Sequence, residues 1–510
     1  MKKIYLVSLF LLVSNLIFAT IINTPTVSGT WDIDSSPYNI YNDIEIPNGE
    51  TLAINPGVEV VFYGHFRFDV QGSILAVGTD VANITFRAND TEEGWLGIRF
   101  DQTPIDNAHS EISFCTITNG NANILNIATG TALGGAIFVR EFNKVSITNN
   151  TFTDNKAFSG SAICCWSSSP EIKNNVFRNN RAGNETTSGY ATIECRWGSC
   201  PKIWNNLIEK NSAVGLNYAA GAAIKLRDSS NAFIKNNIIR ENYIISDGNL
   251  AEGTAMYIHT SDPLIINNLI YDNYIEPAAS HGSGGAIFFY NSNAKLINNT
   301  IKTNIAREGG ALWFKLSSPD FHNNIIRANE AATIEEQIFF DDEESDPNFY
   351  HNNIEGGKES FGFKYPSFSF TGAWVNNIDE DPIYEDHGNG ITFDLATNSP
   401  CVDAGSLDYL SDITIEELDL LGNERIVGDN IDIGAVELYA RTPENISMSR
   451  AGSIMTISWD INPLSTSYKI YSSDNPNGEF VLIDVVTSNS YEFTTEQDNK
   501  KFYYVVSSIE

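Results

Sequence analysis

Positive charge is scarce in this chain. Its 510 residues hold 31 lysines and arginines against 64 aspartates and glutamates, a formal net charge of −33. A surface of that sign repels nucleic acid and anionic membrane, so neither is an expected partner. Long apolar runs are also scarce. Beyond the run from Ile4 to Ala19, no segment reaches the length of a membrane helix. A sustained 3.6-residue apolar period is missing, which removes amphipathic helices as the building unit. Cysteine is limited to Cys115, Cys164, Cys165, Cys195, Cys200 and Cys401, with no metal-type CxxC pair. No cofactor is implied. Ca²⁺ on clustered carboxylates stays open beside the plainer reading of a solubilising acidic surface.

The amino terminus does carry a signal. Met1-Lys2-Lys3, a short apolar core and the small residue Ala19 read as a secretory leader over residues 1–19. The expected mature chain is exported, has no transmembrane helix, and resides extracellularly or at a bacterial cell surface or outer membrane. Export permits disulfides. Cys165 and Cys195 each sit two residues after an isoleucine, Ile163 and Ile193. Stacked coils would make them neighbours, although small apolar core residues are the preferred reading.

What dominates the sequence is a repeat. Asn-Asn recurs at 149–150, 174–175, 205–206, 236–237, 267–268, 298–299, 323–324, 352–353 and 376–377. Four successive intervals from Asn174 are 31 residues each. Another Asn follows five residues after the doublet, from Asn155 to Asn329. A second signal, Gly134-Gly135-Ala136-Ile137, returns as Gly160-Ser161-Ala162-Ile163, Gly221-Ala222-Ala223-Ile224, Gly253-Thr254-Ala255-Met256, Gly284-Gly285-Ala286-Ile287 and Gly309-Gly310-Ala311-Leu312. A fixed period with short alternating apolar segments predicts a solenoid of parallel strands about 4.8 Å apart. Small residues allow close backbone approach at one corner. Asn at another can stack amide on amide, which satisfies buried polar groups in a ladder.

The Gly-Gly-Ala-Ile and Phe-x-x-Asn pairing resembles the repeats of chlamydial polymorphic outer membrane proteins. More broadly, residues 20–398 resemble a right-handed parallel β-helix of the pectin-lyase-like superfamily. That likeness implies an all-β fold and no particular chemistry. Residues 399–440, with Ser399-Pro400-Cys401-Val402-Asp403-Ala404-Gly405 and Asp432-Ile433-Gly434-Ala435, are similar to a segment that closes many bacterial secreted β-helices. A cap over the last coil is expected, with Arg425 pairing with Asp403 or Asp432. Residues 441–510 show short strands between turns, a small β-sandwich pattern. Trp459, Tyr468-Lys469-Ile470-Tyr471 and Phe502-Tyr503-Tyr504-Val505 resemble a fibronectin type III domain.

Strand alternation predicts two outward columns after each Ala-Ile. One reads Phe138, Cys164, Glu194, Lys225, Tyr257, Phe288, Trp313; the other reads Arg140, Trp166, Arg196, Arg227, His259, Tyr290, Lys315. Aromatic faces stack on sugar rings, and cations pair with carboxylate or sulfate. The candidate binding residues are therefore Glu194, Arg196, Lys225, Arg227, Tyr257, His259, Tyr290, Trp313 and Lys315. A covering loop or chain, or ordinary strand preference, would explain the same residues without a ligand. No catalytic or metal residues are assigned. The paired aspartates, His-Gly and Arg-x-Lys of polygalacturonase-like hydrolases are not assembled. His281-Gly282, His387-Gly388 and Glu385-Asp386-His387 stand without partners. The favoured function is a secreted or cell-surface binding or adhesion protein toward polysaccharide. A polysaccharide lyase or glycoside hydrolase using the same face, and a structural envelope protein, are the alternatives.

Overall fold

A computed structural model describes residues 19–122, 131–246, 250–276, 282–332, 337–385, 393–408, 418–427, 430–438, 443, 445–461, 465, 467–476, 478, 480–494 and 501–508. Nearly all of the leader-like stretch, residues 1–18, lies outside them, as do His281, Asp386, His387, Arg441 and Thr442. Among the described residues there is no α-helix, and none is long and apolar enough to cross a membrane. The chain is all-β, a right-handed parallel β-helix followed by small antiparallel sheets. Two compact units divide it. The first holds described residues of 19–232 and 242–251, and the second holds 233–241, 252–276 and 282–508.

One coil is built the same way in each unit. In the first unit, Ile137–Arg140 belongs to sheet two, Val145–Thr148 to sheet three and Thr151–Thr153 to sheet one. Each pairs in parallel with the equivalent strand one coil on: Ile163–Trp166, Glu171–Lys173 and Val176–Arg178. In the second unit Ile287–Tyr290, Lys295–Ile297 and Thr300–Lys302 pair likewise with Leu312–Lys315, Asp320–His322 and Ile325–Arg327. Alternate side chains fill the interior in stacks. The Phe152 and Phe177 rings stack nearly parallel with centroids 4.8 Å apart, as do Phe321 and Phe349 at 4.8 Å. Cys165 and Cys195 are in-register interior neighbours, fully buried, with free thiols. Parallel register holds their Cβ atoms near the ~4.8 Å strand spacing, wider than the ~3.8 Å of a relaxed disulfide.

The Asn repeats make two of the corners. The first doublet member takes the left-handed backbone conformation, with φ of 57° at Asn149, 55° at Asn174 and 54° at Asn298. Asn tolerates this better than most residues because its short amide bonds locally. The second member turns inward and joins the ladder. Asn299 Nδ2 donates to Asn324 Oδ1 on the next coil at 2.9 Å and to Ile265 O at 2.9 Å. Its Oδ1 accepts from the backbone N–H and Nδ2 of Asn268 at 2.9 and 3.0 Å. The lone Asn five residues on repeats the scheme, as in Asn155–Asn180–Asn211–Asn242. A third ladder, of serine, was not read from the repeat. Ser168 and Ser199 accept and pass on the corner bond in the first unit, and Ser317 does so in the second, accepting from the Ser292 N–H and donating its own to Ser345.

One doublet is out of frame. At 352–353 the left-handed residue is His351, φ 55°, and Asn352 bonds to Asn324 and Asn377. Asn353 begins a sheet-one strand instead. At the glycine corner Gly134 has φ 63°, and a Cβ on Gly135 would stand 2.2 Å from Ser161 O on the next coil. The degenerate copy moves the left-handed residue one place, to Ala191 at φ 58°.

The closing segment lies along the side of the second unit's coils rather than only over the last one. Nδ2 of Asn236, Asn267, Asn298 and Asn323 donates to the carbonyls of Asp419, Leu418, Asp432 and Ser406, at 2.9 to 3.1 Å. Ile433, Cys401 and Leu395 pack on Ile325 beneath it. Arg425 pairs with Glu437 at 3.4 Å, where Asp403 or Asp432 was expected, and it meets Asp432 through that residue's backbone carbonyl at 3.0 Å. The carboxylates of Asp403 and Asp432 are instead taken by backbone N–H groups.

The C-terminal residues form two three-stranded antiparallel sheets, one of Ser447–Ala451, Ile454–Ser458 and Ser490–Thr494, the other of Ser467–Ser473, Val481–Val486 and Phe502–Ser508. Ile457, Trp459, Tyr468, Ile470 and Val505 form their core.

Asn299→Ala orphans the Asn268 donors and the Ile265 carbonyl, each costing about 1–3 kcal/mol when buried. Urea unfolding is expected to show a total loss of roughly 2–5 kcal/mol, against about 1–2 kcal/mol for the exposed Asn174→Ala, whose main cost is the left-handed backbone.

Candidate functional site

Sheet two aligns the predicted columns. In the first unit Phe138, Cys164, Glu194 and Lys225 are successive neighbours, and so are Arg140, Trp166 and Arg196. Arg227 lies just beyond the Ile224–Leu226 strand, its N–H donating to Cys195 O at 3.0 Å. In the second unit Tyr257, Phe288 and Trp313 are neighbours, and so are His259, Tyr290 and Lys315. The columns also run through residues that the repeat did not assign. Asp69, Arg99 and Asp101 extend them in the first unit, and Phe339 does so in the second.

Pointing outward does not make the first column exposed. Glu194 is 1% exposed, Lys225 5%, Tyr257 7% and Trp313 6%. In the first unit the chain leading into each glycine corner folds over it. Leu133 packs on Phe138 and Cys164, with Phe158 and Trp166 at the rim. The Leu133 carbonyl accepts from Arg99 Nη1. The Tyr190 ring lies 3.4 Å from Lys225 Nζ. In the second unit the column is a continuous ring stack: Tyr257–Phe288 at 5.3 Å, Phe288–Trp313 at 6.2 Å and Trp313–Phe339 at 4.3 Å. The glycine corner presses on it, since a Cβ on Gly309 would meet Phe339 Cβ at 3.0 Å.

Under the roof, charge is buried and mutually held. Glu194 Oε2 stands 3.7 Å from Arg196 Nη1 and accepts from the Cys164 thiol at 3.7 Å. Burial, then the Glu194 charge, holds that thiol well above its ordinary pKa, so it stays protonated and is a poor nucleophile. Burial also raises Asp69 to about 6 and lowers Arg99 to about 10. Among the described residues, no three His, Cys, Asp or Glu side chains are placed to hold a metal ion.

The second column forms a half-exposed rim. In the first unit Trp166 is sandwiched between two guanidiniums, Arg140 at 5.6 Å and Arg196 at 4.9 Å. Arg140 is anchored by Asp101 at 2.5 Å, and Arg227 by Asp228 at 2.7 Å. Trp197, 53% exposed, stacks on Trp166 at 6.5 Å. Column counting passed over Trp197 because it sits in the corner; its signal is a tryptophan immediately before Gly198, held at φ 57°, a conformation that bulky residues avoid. In the second unit His259 stacks on Tyr290 at 4.7 Å, and Lys315 Nζ lies 5.2 Å from the same ring. Asp341 holds Lys315 at 3.5 Å and Lys364 at 2.7 Å. A further cation–aromatic column occupies sheet one. Arg240 donates to the Tyr271 hydroxyl at 2.7 Å, and Lys302 lies 4.2 Å from the Tyr384 ring and 4.9 Å from Phe393.

The geometry thus separates the nine candidates. Glu194, Arg196, Lys225, Tyr257 and Trp313 are buried, whereas Arg227, His259, Tyr290 and Lys315 meet solvent. Residues 197–393 are similar to the family described as right handed beta helix region. Residues 57–262 match a second model, described as a protein of unknown function, DUF1565. No curated protein matches the chain. The matches agree with the coil geometry and carry no chemistry of their own.

Trp313→Ala removes a buried ring from a stack and is expected to cost about 3–5 kcal/mol in denaturant unfolding. Lys315→Ala, at the solvent rim, is expected to cost less than about 1 kcal/mol in the same measurement.

Proposed function

We propose that this protein is an exported, cell-surface or extracellular β-helix that binds polysaccharide along the sheet-two rim of each unit. The carrying observation is the composition of the rim. In an acidic chain, its half-exposed side chains are Trp, Tyr, His, Arg and Lys, stacked on one another in register. Ring edges at successive coils and the exposed Trp197 ring offer apolar area to sugar rings, and the flanking cations offer donors to hydroxyl, carboxylate or sulfate groups. Anchoring by Asp101, Asp228 and Asp341 reduces the side-chain entropy lost on binding. The leader-like start supports export. The aromatic core of the C-terminal sheets supports a fibronectin type III-like module, which would act as a spacer or attachment domain. Burial of Glu194 and protonation of Cys164 favour binding over turnover.

Polysaccharide arrays and affinity electrophoresis test the reading. The full chain is expected to be retained by at least one polysaccharide without depolymerising it. Trp166→Ala and Tyr290→Ala are each expected to weaken retention at least about tenfold, with circular dichroism unchanged. Retention by no polysaccharide, or unchanged retention by both variants, would sink the proposal.

A further inference from the structure

The closing segment hides an ionic knot that the rim does not use. Asp419, Asp432 and Glu437 are 0–1% exposed and share one buried cation, Arg425, itself 2% exposed. Two negative charges are therefore uncompensated by any side chain of the knot when all three carboxylates ionise. Backbone donors compensate in part. Asp419 accepts from the N–H groups of Leu421, Asn423 and Glu437, at 2.8, 2.9 and 3.0 Å. Asp432 accepts from Asp403 and Leu438, both at 2.7 Å. Glu437 accepts from Val427 and Asp432, both at 3.1 Å. Asp403, at the exposed edge of the knot, adds a fourth negative charge beside Asp432, and the buried Cys401 thiol stands behind it. The coils meet the segment with neutral groups, Asn236, Asn298, Thr300 and Asn323.

We propose that residues 418–427 and 430–438 are a pH-operated strap. It is closed while the three-carboxylate knot keeps a proton, and it is released from the asparagine corner as the last carboxylate ionises. Burial, and for Glu437 the Asp432 charge next, favours retention of that proton, with Asp432 raised to about 6 and Glu437 to about 8. The sign follows from proton binding. An acid raised in the folded state binds more protons folded than unfolded, so its contribution falls as pH rises from the ordinary value to the folded one. For Glu437 the window runs from 4.5 to about 8. Release would free the side-chain amides of Asn236, Asn267 and Asn298, the equivalents of the uncovered Asn174 and Asn205 in the first unit.

Hydrogen exchange of the Gly434 and Ala435 amides reads the strap, because they donate to Asn323 O and Thr300 Oγ1 on the coils. In the full chain, corrected for intrinsic exchange, opening is expected to increase by up to about tenfold per pH unit between pH 5 and 8 and then level off. Glu437→Gln is expected to flatten that rise. A flat wild-type profile, or an equal slope in Glu437→Gln, overturns the proposal. Should Glu437→Gln not fold, carboxyl ¹³C titration of the wild type decides: Glu437 titrating near pH 8 supports the strap, and titration in the ordinary glutamate range overturns it.

Discussion

The asparagine ladder is the interaction on which the coils depend. A solenoid turn must bend its backbone at each corner, and the bend leaves amide groups without strand partners. Asn meets both demands in two adjacent positions. The first takes the left-handed conformation, and the second donates twice and accepts twice across neighbouring coils. Its amide is thereby satisfied in an interior where an orphaned group would cost more than a bond contributes. The serine ladder performs a smaller version at the third corner.

Because the ladders hold the coils from Asn150 onward in register within each unit, chemistry can be arranged in columns. The same register that stacks Phe152 on Phe177 inside places Trp166 between Arg140 and Arg196 outside. Columns differ in solvent access rather than in direction. Where the chain approaching the glycine corner folds back, an outward residue such as Glu194 becomes buried. Two residues further along the strand, that roof ends and the rim begins. A buried stack and a half-exposed rim thus occupy neighbouring positions of one strand.

Much of this was legible in the residues. Fixed spacing of the doublets identified the solenoid, and the Ala-Ile anchors set the strand register without error across both units. The frame failed at Asn352-Asn353, because a doublet is only a proxy for the left-handed residue, and His351 takes that role there. Exposure was not legible either. Glu194 and Trp313 share strand alternation with solvent-facing residues, and only the path of the chain approaching the glycine corner or an adjoining ring stack buries them.

The corner asparagines show where sequence stops and folding takes over. Asn174, Asn205, Asn267 and Asn298 occupy one repeat position, one backbone conformation and one residue type, all of which the sequence by itself determined. Whether they meet water was decided by tertiary structure. Asn174 and Asn205 are exposed in the first unit, while Asn267 and Asn298 are 1% exposed beneath the closing segment. The physical reason is that repeat spacing encodes local bends and lateral stacking. Docking of the closing segment depends on a buried set of carboxylates, one arginine and a patch of isoleucine far apart in the chain. No period records that encounter.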